Sequence, residues 1–319
     1  MIFVEPLVRV EGLTKKFNLE AGFFARFGKF VHAVNDLSFT IGKGETYALV
    51  GESGCGKTTT ARLIVRMYER DAGTIFFGRD TDVGLLRGRD LRSYREKVKY
   101  VFQDPARSLN PRMSVYNVLT SGYRWSSRWP GARRAREEAA LILEEVGLAP
   151  SDLDRRPADF SGGQRQRISI ARSLLMQPEL LICDEVVSAL DVSIQGQILN
   201  LLQDIREKRG LSILFIAHDL KVASYFCDRI GVMYRGELME EGRAQDLYRN
   251  HGHPYTQLLF ASATGGAEEA PNSVTTPQRN SAHGCAFAHR CPLADNSCYA
   301  QRPEWKNIGD DHFIRCHKR

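Results

Sequence analysis

The most informative stretch of the sequence is Gly51-Glu-Ser-Gly-Cys-Gly-Lys-Thr58, a complete G-x-x-x-x-G-K-[ST] phosphate loop. The apolar run Tyr47–Val50 precedes it and predicts a buried strand, and residues 59–67 follow with helical spacing. In such a loop, backbone N–H groups and a helix N-terminus bind phosphate oxygens. Lys57 would neutralise the β- and γ-phosphates, and the Thr58 hydroxyl would bind Mg²⁺. The motif predicts a nucleotide site but does not separate a kinase, a GTPase, a helicase and a transport motor.

The composition is typical of a soluble α/β protein with one large domain and an appendage. Of 319 residues, 43% are hydrophobic and 26% are charged. No apolar run is long enough to cross a bilayer. The net charge of +6 is mild and scattered along the chain, so nucleic acid is not an expected partner. The first residues lack the layout of a secretory signal, which favours a cytoplasmic protein whose cysteines are thiols or metal ligands rather than disulfides.

Strand and helix patterns alternate along the chain, which predicts a largely parallel sheet covered on both faces. The pattern changes character at about residues 104–165, where a helical subdomain is expected. Residues 261–281 contain glycine, proline and few apolar side chains, as a flexible linker does. Residues 282–319 form a cysteine-rich tail that is too short for a core of its own.

Four polar side chains follow predicted strands and should converge beside the phosphate loop, since parallel strands end at the same edge of a sheet. They are Gln103, Asp184, Glu185 and His218. Asp184 suits Mg²⁺ coordination, and Glu185 suits a general base or a group that orients the attacking water. Together with the phosphate loop they supply what phosphoryl transfer to water requires.

These motifs, with Phe160-Ser-Gly-Gly-Gln-Arg-Gln-Arg167 and Ser188-Ala-Leu-Asp191, resemble in order and spacing the ATP-binding subunits of ABC transporters. The resemblance covers about residues 7–260 and implies an ABC ATPase domain over residues 1–260. That domain would have N-terminal antiparallel β strands, a mostly parallel sheet and an inserted helical subdomain. The resemblance also implies ATP and Mg²⁺ as cofactors and ATP hydrolysis as the activity.

The resemblance assigns roles to single residues. Ser161 and Gly163 match signature residues that reach the γ-phosphate held by a second ATP-binding subunit. His218 matches the switch histidine, Gln103 the glutamine that links Mg²⁺ to the helical subdomain, and Phe17 the aromatic residue that stacks on adenine.

The complete set of expected site residues follows from the motifs and the resemblance together. Asp191 matches the residue that communicates across the dimer. The expected catalytic residues are Glu185, His218 and Gln103, and the expected Mg²⁺ ligands are Thr58, Gln103 and Asp184. The expected nucleotide contacts are Phe17, Gly51, Ser53, Gly54, Cys55, Gly56, Lys57, Thr58, Thr59, Gln103, Ser161, Gly163, Gln164, Asp184 and Asp191.

A narrower resemblance, carried by residues 104–112, residues 252–259 and the tail, is to the oligopeptide/dipeptide importer branch. It implies a second, related ATP-binding subunit, two transmembrane permease subunits and an extracytoplasmic substrate-binding protein. The chain would then lie peripherally on the cytoplasmic face of the inner membrane. Peptides are the leading cargo, with nickel, sugars and opines as alternatives. One departure is Val186, where the family usually has proline; the charged groups remain, so hydrolysis is still expected.

The tail cysteines Cys285, Cys291, Cys298 and Cys316 follow the pattern C-x5-C-x6-C-x17-C, which matches neither a zinc ribbon nor a ferredoxin run. Four thiolates suit tetrahedral Zn²⁺ or a [4Fe–4S] cluster, and His289, His312 and His317 are spare ligands. The importer resemblance implies the [4Fe–4S] cluster. Zinc and unliganded thiols are the alternatives.

Two other classes of protein compete with the importer. A soluble ABC-type ATPase of DNA repair or translation would usually carry a coiled-coil insertion or two tandem cassettes, and the sequence has one cassette and neither feature. A metal-sensing regulator with a vestigial nucleotide site would explain the cysteines. The intact Lys57, Ser161, Glu185 and His218 argue against such degeneration.

Overall fold

The strand that leads into the phosphate loop lies inside a large mixed sheet. The computed structural model describes residues 5–18, 30–263, 284–309 and 311–319. Its strands are β1 (Pro6–Asn18), β2 (Phe30–Gly42), β3 (Thr46–Val50), β4 (Ala72–Phe77), β5 (Thr81–Asp82), β6 (Val98–Val101), β7 (Leu180–Asp184), β8 (Ser212–Ala217), β9 (Arg229–Tyr234), β10 (Glu237–Arg243), β11 (Trp305–Gly309) and β12 (His312–Arg315).

The helices connect these strands and cover the sheet. They are α1 (Lys57–Ile64), α2 (Gly88–Lys97), α3 (Pro105–Ser108), α4 (Val115–Tyr123), α5 (Ala132–Glu145), α6 (Gly162–Leu174), α7 (Val192–Arg209), α8 (Leu220–Phe226), α9 (Ala244–Arg249), α10 (Pro254–Ala263) and α11 (Asn296–Ala300). Short 3-10 turns lie at Val83–Leu85, Pro150–Asp154, Pro157–Asp159 and Ala288–Arg290. Within the described chain, no helix is both long enough and apolar enough to cross a membrane.

The main sheet has eight strands in the order β11-β12-β10-β9-β3-β8-β7-β6. Strands β6, β7, β8, β3 and β9 run parallel to one another, whereas β10, β12 and β11 are antiparallel additions. Every residue of β3, β7 and β8 is buried. Continuous apolar runs are what parallel strands need when both faces are covered. The predicted α/β fold with a mostly parallel sheet is confirmed.

The second sheet is antiparallel, has the order β2-β1-β4-β5, and also confirms the prediction. Successive side chains of a strand point to opposite faces, and β3 shows the result. Leu49 belongs to a cluster shared with this second sheet, whereas Val50 belongs to the cluster that includes the α4–α6 helices. Burying each such aliphatic side chain contributes about 1.5–3 kcal/mol. The phosphate loop therefore leaves a strand that is fixed from both sides.

Helices α3, α4 and α5 lie between β6 and α6, inside the interval that the sequence assigns to a helical subdomain. Ser114 begins α4, where its hydroxyl accepts a hydrogen bond from the backbone N–H of Asn117 at 3.3 Å. Gly147, with φ of +73°, follows the end of α5, as expected for a glycine that terminates a helix. Apolar residues of α4 and α5 join the larger of the two core clusters.

The cysteine-rich tail extends the main sheet, because β12 pairs with β10 through Glu240 opposite Ile314 and Glu241 opposite Phe313. Cys285, Phe287 and Cys298 join the larger core cluster. Most of the predicted linker, residues 264–281, lies outside the described residues. The sequence predicts a cysteine-rich tail apart from the ATPase domain. In the structure the described part of this tail shares the sheet and core of that domain.

The buried carboxylate of Glu240 anchors the tail. It accepts hydrogen bonds from the backbone N–H groups of Gly252 (2.6 Å) and His253 (2.9 Å), and Nε2 of His312 lies 2.7 Å away. Burial by itself would raise the pKa of Glu240, but the hydrogen bonds from His312 and from the two N–H groups outweigh burial and lower it. The ionised form is therefore the one that the fold stabilises.

We expect Glu240→Gln to lower the free energy of unfolding by about 1–3 kcal/mol at neutral pH, because an amide cannot accept all of these hydrogen bonds. Since the folded pKa is lowered, this stabilisation is present above the unfolded pKa of about 4.3 and is lost as pH falls through the folded value. Thermal unfolding from pH 7 down to pH 3 measures it. The difference in stability between wild type and Glu240→Gln should become smaller as the pH falls. The exposed control Glu207→Gln should match wild type at every pH.

Candidate nucleotide site

The loop between β3 and α1 has a backbone that only glycine allows at two positions. At Gly51 (φ +157°) a Cβ would lie 2.1 Å from the carbonyl oxygen of Met233, and at Gly56 (φ +111°) it would lie 2.1 Å from that of Ala33. Both distances are far below contact, so any side chain would force the neighbouring strands apart. The loop can therefore curve tightly over the N-terminus of α1, which begins at Lys57.

Lys57 lies inside this curve and is 4% exposed. Its ammonium group donates hydrogen bonds to the carbonyl oxygens of Gly51 at 2.7 Å and Glu52 at 2.9 Å, and lies 3.7 Å from the sulfur of Cys55. Burial raises the pKa of Cys55, so that side chain is a neutral thiol. The loop thus encloses one buried positive charge next to a helix N-terminus, an arrangement that attracts phosphate.

A carboxylate with two hydroxyl partners adjoins the loop. Asp184, the last residue of β7, accepts hydrogen bonds from the Thr58 hydroxyl at 3.0 Å and from the Tyr100 hydroxyl at 2.5 Å. Burial and the neighbouring Asp184 charge raise the pKa of Tyr100, so this residue remains a phenol and donates. Hydroxyl and carboxylate oxygens are the ligands that Mg²⁺ prefers. The pair Thr58 and Asp184 is suited to hold that ion.

Tyr100 is not among the site residues that the sequence predicts, because a tyrosine in the middle of an apolar strand resembles an ordinary core residue. The pairing of strands β6 and β7 indicates its role, because Tyr100 of β6 pairs with Ile182 of β7, two residues before Asp184. This places the phenol beside the carboxylate.

We expect Tyr100→Phe to raise the Mg²⁺ concentration needed for half-maximal ATP turnover about tenfold, because Asp184 loses the group that orients it. Turnover measured across a Mg²⁺ titration tests this. Tyr116→Phe, which removes a hydroxyl bonded to the backbone of Ala132 in the helical subdomain, is the matched control and should leave the Mg²⁺ requirement unchanged. Identical Mg²⁺ curves for wild type and Tyr100→Phe would contradict the role.

Glu185 follows Asp184 and has a left-handed backbone with φ of +49°. Strained positions of this kind persist only where the surroundings hold them. Here the backbone N–H of Glu185 donates to the carbonyl of Ile216 at 3.1 Å, and Gln103 Nε2 donates to its carboxylate at 2.7 Å. Val186 is 2% exposed and packs in the core. A buried valine therefore anchors the loop where the family pattern has proline.

The remaining strand-end residue, His218, is exposed directly after β8. Strand β8 lies between β3 and β7, so His218 follows the strand next to those carrying the phosphate loop and Asp184. Phe17, near the end of β1, is half-buried and makes an edge-to-face contact with Tyr68 at 5.5 Å. Lys15 Nζ lies 5.5 Å from the Phe17 ring centre.

The glycine-rich start of α6 is at least partly exposed to solvent. Ser161 begins the helix: its hydroxyl accepts from the N–H of Gln164 at 3.3 Å, and the Gln164 side chain accepts from the Ser161 N–H at 3.0 Å. Gly163 allows close approach to α7, since a Cβ there would lie 2.7 Å from a methyl carbon of Ile194. Asp191, which precedes α7, is exposed like Ser161. Both are accessible to another chain.

The four tail cysteines are free thiols. Cys285, Cys298 and Cys316 are buried and Cys291 is partly buried. Burial first, and then the other three thiols, raise the pKa of Cys285 to about 11. Four thiols have the donor chemistry of a zinc or iron–sulfur site. Yet in residues 284–309 and 311–319, as in the other described ranges, no three His, Cys, Asp or Glu side chains are arranged to hold a metal ion. The predicted iron–sulfur cluster and its zinc alternative are therefore not supported by this geometry.

The chain and its fold are similar to known proteins. A family model described as ABC transporter matches residues 34–188, and one described as oligopeptide/dipeptide transporter, C-terminal region, matches residues 239–298. A probable peptide ABC transporter ATP-binding protein of Sinorhizobium fredii is 42% identical over 99% of this chain and 90% of the relative. The oligopeptide transport ATP-binding protein AppF of Bacillus subtilis is 41% identical over 98% and 97%.

Solved structures agree with these relatives. The protein cbiO1 of Clostridium perfringens, described as part of an ABC transporter complex, superimposes with a TM-score of 0.66 at 26% identity and covers 77% of this chain and 92% of its own. The ATP-binding cassette MJ0796, described as a dimer in a post-hydrolysis state bound to ADP and Pi, gives a TM-score of 0.65 at 25% identity over 75% of this chain and 99% of its own.

Proposed function

The chain belongs to the ATP-binding subunits of ABC transporters and is an ATPase of that family, and from this premise we propose that it powers the import of peptides. The observation that carries the choice of cargo is the match of residues 239–298 to the oligopeptide/dipeptide transporter C-terminal region. The names of the relatives support the same cargo. Nickel, sugars and opines are the alternatives.

We propose the following division of work at the nucleotide. The N–H groups of Gly51 to Thr59, with the side chains of Lys57 and Ser53, hold the phosphates of ATP. Thr58, Asp184 and Gln103 hold Mg²⁺, which neutralises charge on the transferred phosphoryl group. This proposal is supported by the hydrogen bond between Thr58 and Asp184 and by the burial of Lys57.

Glu185 is the group we propose to orient or deprotonate the attacking water, with His218 contacting the γ-phosphate. The carboxylate of Glu185 accepts a hydrogen bond from Gln103 Nε2 at 2.7 Å, which orients it for this role. Phe17 is the proposed platform for adenine. The support for this last role is its half-buried ring, held from one side by Tyr68.

A second ATP-binding subunit completes each site in this proposal. Ser161, Gly163, Gln164 and Asp191 would face the nucleotide held by that subunit. The exposed start of α6 supports this, because a helix N-terminus with a hydroxyl and adjacent glycines is a good anion contact. A related but different chain is the proposed partner, as in the importer branch.

The proposed assembly further contains two transmembrane permease subunits and an extracytoplasmic substrate-binding protein, with the chain on the cytoplasmic face of the inner membrane. Two large apolar side chains on the helical subdomain support a docking surface there: Trp125 is 81% exposed and Leu141 is 64% exposed. ATP-driven closure of the two ATP-binding subunits would move the permease subunits through this subdomain. Hydrolysis would then reset them.

Co-purification from native membranes tests the assembly. The tagged chain is extracted in mild detergent, and the accompanying proteins are identified. Recovery of two multi-spanning proteins and a second ATP-binding subunit is the expected result. Recovery of the chain alone from the soluble fraction, or together with nucleic acid or ribosomes, would favour a soluble ABC-type ATPase instead.

We also propose a metal centre at Cys285, Cys291, Cys298 and Cys316, first as a [4Fe–4S] cluster and alternatively as Zn²⁺. Its support is the importer resemblance and the burial of three of the four thiols. Burial disfavours the thiolate form of these cysteines. Binding of either group would favour the thiolates and would cross-link the tail. Anaerobic purification followed by iron, sulfide and zinc analysis tests it. Stoichiometric zinc without iron would exclude the cluster, and absence of both would leave free thiols.

A further inference from the structure

An ion pair connects the cysteine-rich tail to the phosphate loop. Arg290 Nη1 and Nη2 donate to the two carboxylate oxygens of Glu52 at 2.8 and 2.9 Å. Glu52 is the second residue of the phosphate loop, and Arg290 directly precedes Cys291 in the tail. Paired hydrogen bonds between a guanidinium and a carboxylate fix orientation as well as distance. The tail therefore holds the loop at a defined point.

Aromatic side chains keep Arg290 in place. Its guanidinium lies 5.8 Å from the ring centre of Tyr234 and 5.9 Å from that of Phe287. Tyr234, Phe287 and Tyr255 pack against one another with ring centres 4.7–5.3 Å apart. A side chain held in this way loses little further entropy when it makes an ion pair.

Glu52 also contacts Lys57, the lysine of the phosphate loop. Its backbone N–H donates to the Tyr255 hydroxyl at 2.9 Å, and its carbonyl oxygen accepts from Lys57 Nζ at 2.9 Å. Two contacts thus join Arg290 to the lysine ammonium. Glu52 also places a negative charge in the loop that is to receive a triphosphate, and Arg290 neutralises it.

We infer that Arg290 is a positioning residue of the ATP site: it fixes Glu52, neutralises its charge and holds the phosphate loop ready for nucleotide. This inference rests on the proposed role of the phosphate loop and Lys57 in ATP binding. It makes the tail a part of the nucleotide site, so that any change in the segment around Cys291 acts on nucleotide affinity.

The test is the affinity of the full-length chain for a fluorescent ATP analogue with Mg²⁺. The side chains of Arg290 and Glu52 are 40% and 37% exposed, so solvent screens the pair. We therefore expect Arg290→Gln to weaken binding by about three- to tenfold. The double variant Arg290→Gln with Glu52→Gln should recover part of this loss, because it removes the unpaired negative charge but does not restore the contact that fixes the loop. Arg290→Lys should lie between wild type and Arg290→Gln.

Two controls separate the possible failures. Arg302→Gln removes another tail arginine, whose ion pairs go to Asp36 and Glu237, and should leave the affinity unchanged. Lys57→Met should abolish most binding if the proposed ATP site is right. Normal binding by Lys57→Met would overturn the site itself. Two results would overturn the inference and leave the ATP site in place. One is weakened binding by Lys57→Met together with wild-type affinity of Arg290→Gln. The other is a double variant that binds no more tightly than Arg290→Gln.

Discussion

Replacing Glu185 with glutamine should lower ATP turnover about a thousandfold while ATP still binds. A general base in this position contributes about 10²–10⁴ to the rate, and an amide cannot take a proton from water. The carboxylate accepts a hydrogen bond from Gln103, and glutamine can keep this bond, so nucleotide affinity should be kept. Because hydrolysis reopens the proposed dimer, the variant should also accumulate as a closed dimer in ATP. Steady-state phosphate release and size-exclusion chromatography with ATP measure the two effects.

Glu207→Gln is the matched control for this variant, since Glu207 is an exposed glutamate on α7. It should turn over ATP as wild type does. Undiminished turnover in Glu185→Gln would refute the assignment of the base. Lost nucleotide binding in the same variant would instead mean that Glu185 is a binding residue.

Replacing Lys57 with methionine should weaken ATP binding about a hundredfold. A unit charge a few ångströms from a phosphate contributes up to about 4 kcal/mol at an effective dielectric constant near 20, and each 1.4 kcal/mol is a factor of ten. Methionine keeps the apolar stem, so the 4% exposed position stays filled. Equilibrium titration with a fluorescent ATP analogue measures the loss.

Lys208→Met is the control, because Lys208 is exposed in the last turn of α7. Equal affinity in the two variants would contradict the phosphate site. Thermal unfolding of Lys57→Met should show whether the two hydrogen bonds to Gly51 and Glu52 also stabilise the empty loop.

Local sequence patterns were enough to predict the centre of this fold. Continuous apolar runs at 47–50, 180–183 and 211–217 correspond to β3, β7 and β8, because buried parallel strands require them. The phosphate loop was identified by spacing, and its context of strand and helix is the observed one. Asp184 and Glu185 were identified because they end an apolar strand next to that loop.

Contacts between distant segments could not be predicted in the same way. Arg290 and Glu52 are 238 residues apart, and neither belongs to a motif that names the other. Tyr100 carries an apolar ring in an apolar strand, so its hydroxyl gave no signal. The anchor of the tail on Glu240 also depends on tertiary structure, since an isolated glutamate in a sequence reads as a surface residue.

Ser161, Gly163 and Asp191 remain predictions for a different reason. Their proposed ligand is held by another subunit, so the fold of one chain leaves Ser161 and Asp191 exposed and Gly163 partly exposed. The metal centre at the tail cysteines also remains a prediction, since three of the four thiols are buried but no three metal-binding side chains of the described residues are arranged to hold an ion.

ATP turnover by the assembled transporter in lipid vesicles, measured with and without peptide-loaded binding protein, tests whether hydrolysis is coupled to peptide import. We expect loaded binding protein to stimulate turnover several-fold, peptide to accumulate inside the vesicles, and Glu185→Gln to abolish both. Nickel, sugars and opines should have no effect. ATP turnover that is the same with and without loaded binding protein, with no uptake of peptide, would contradict the account.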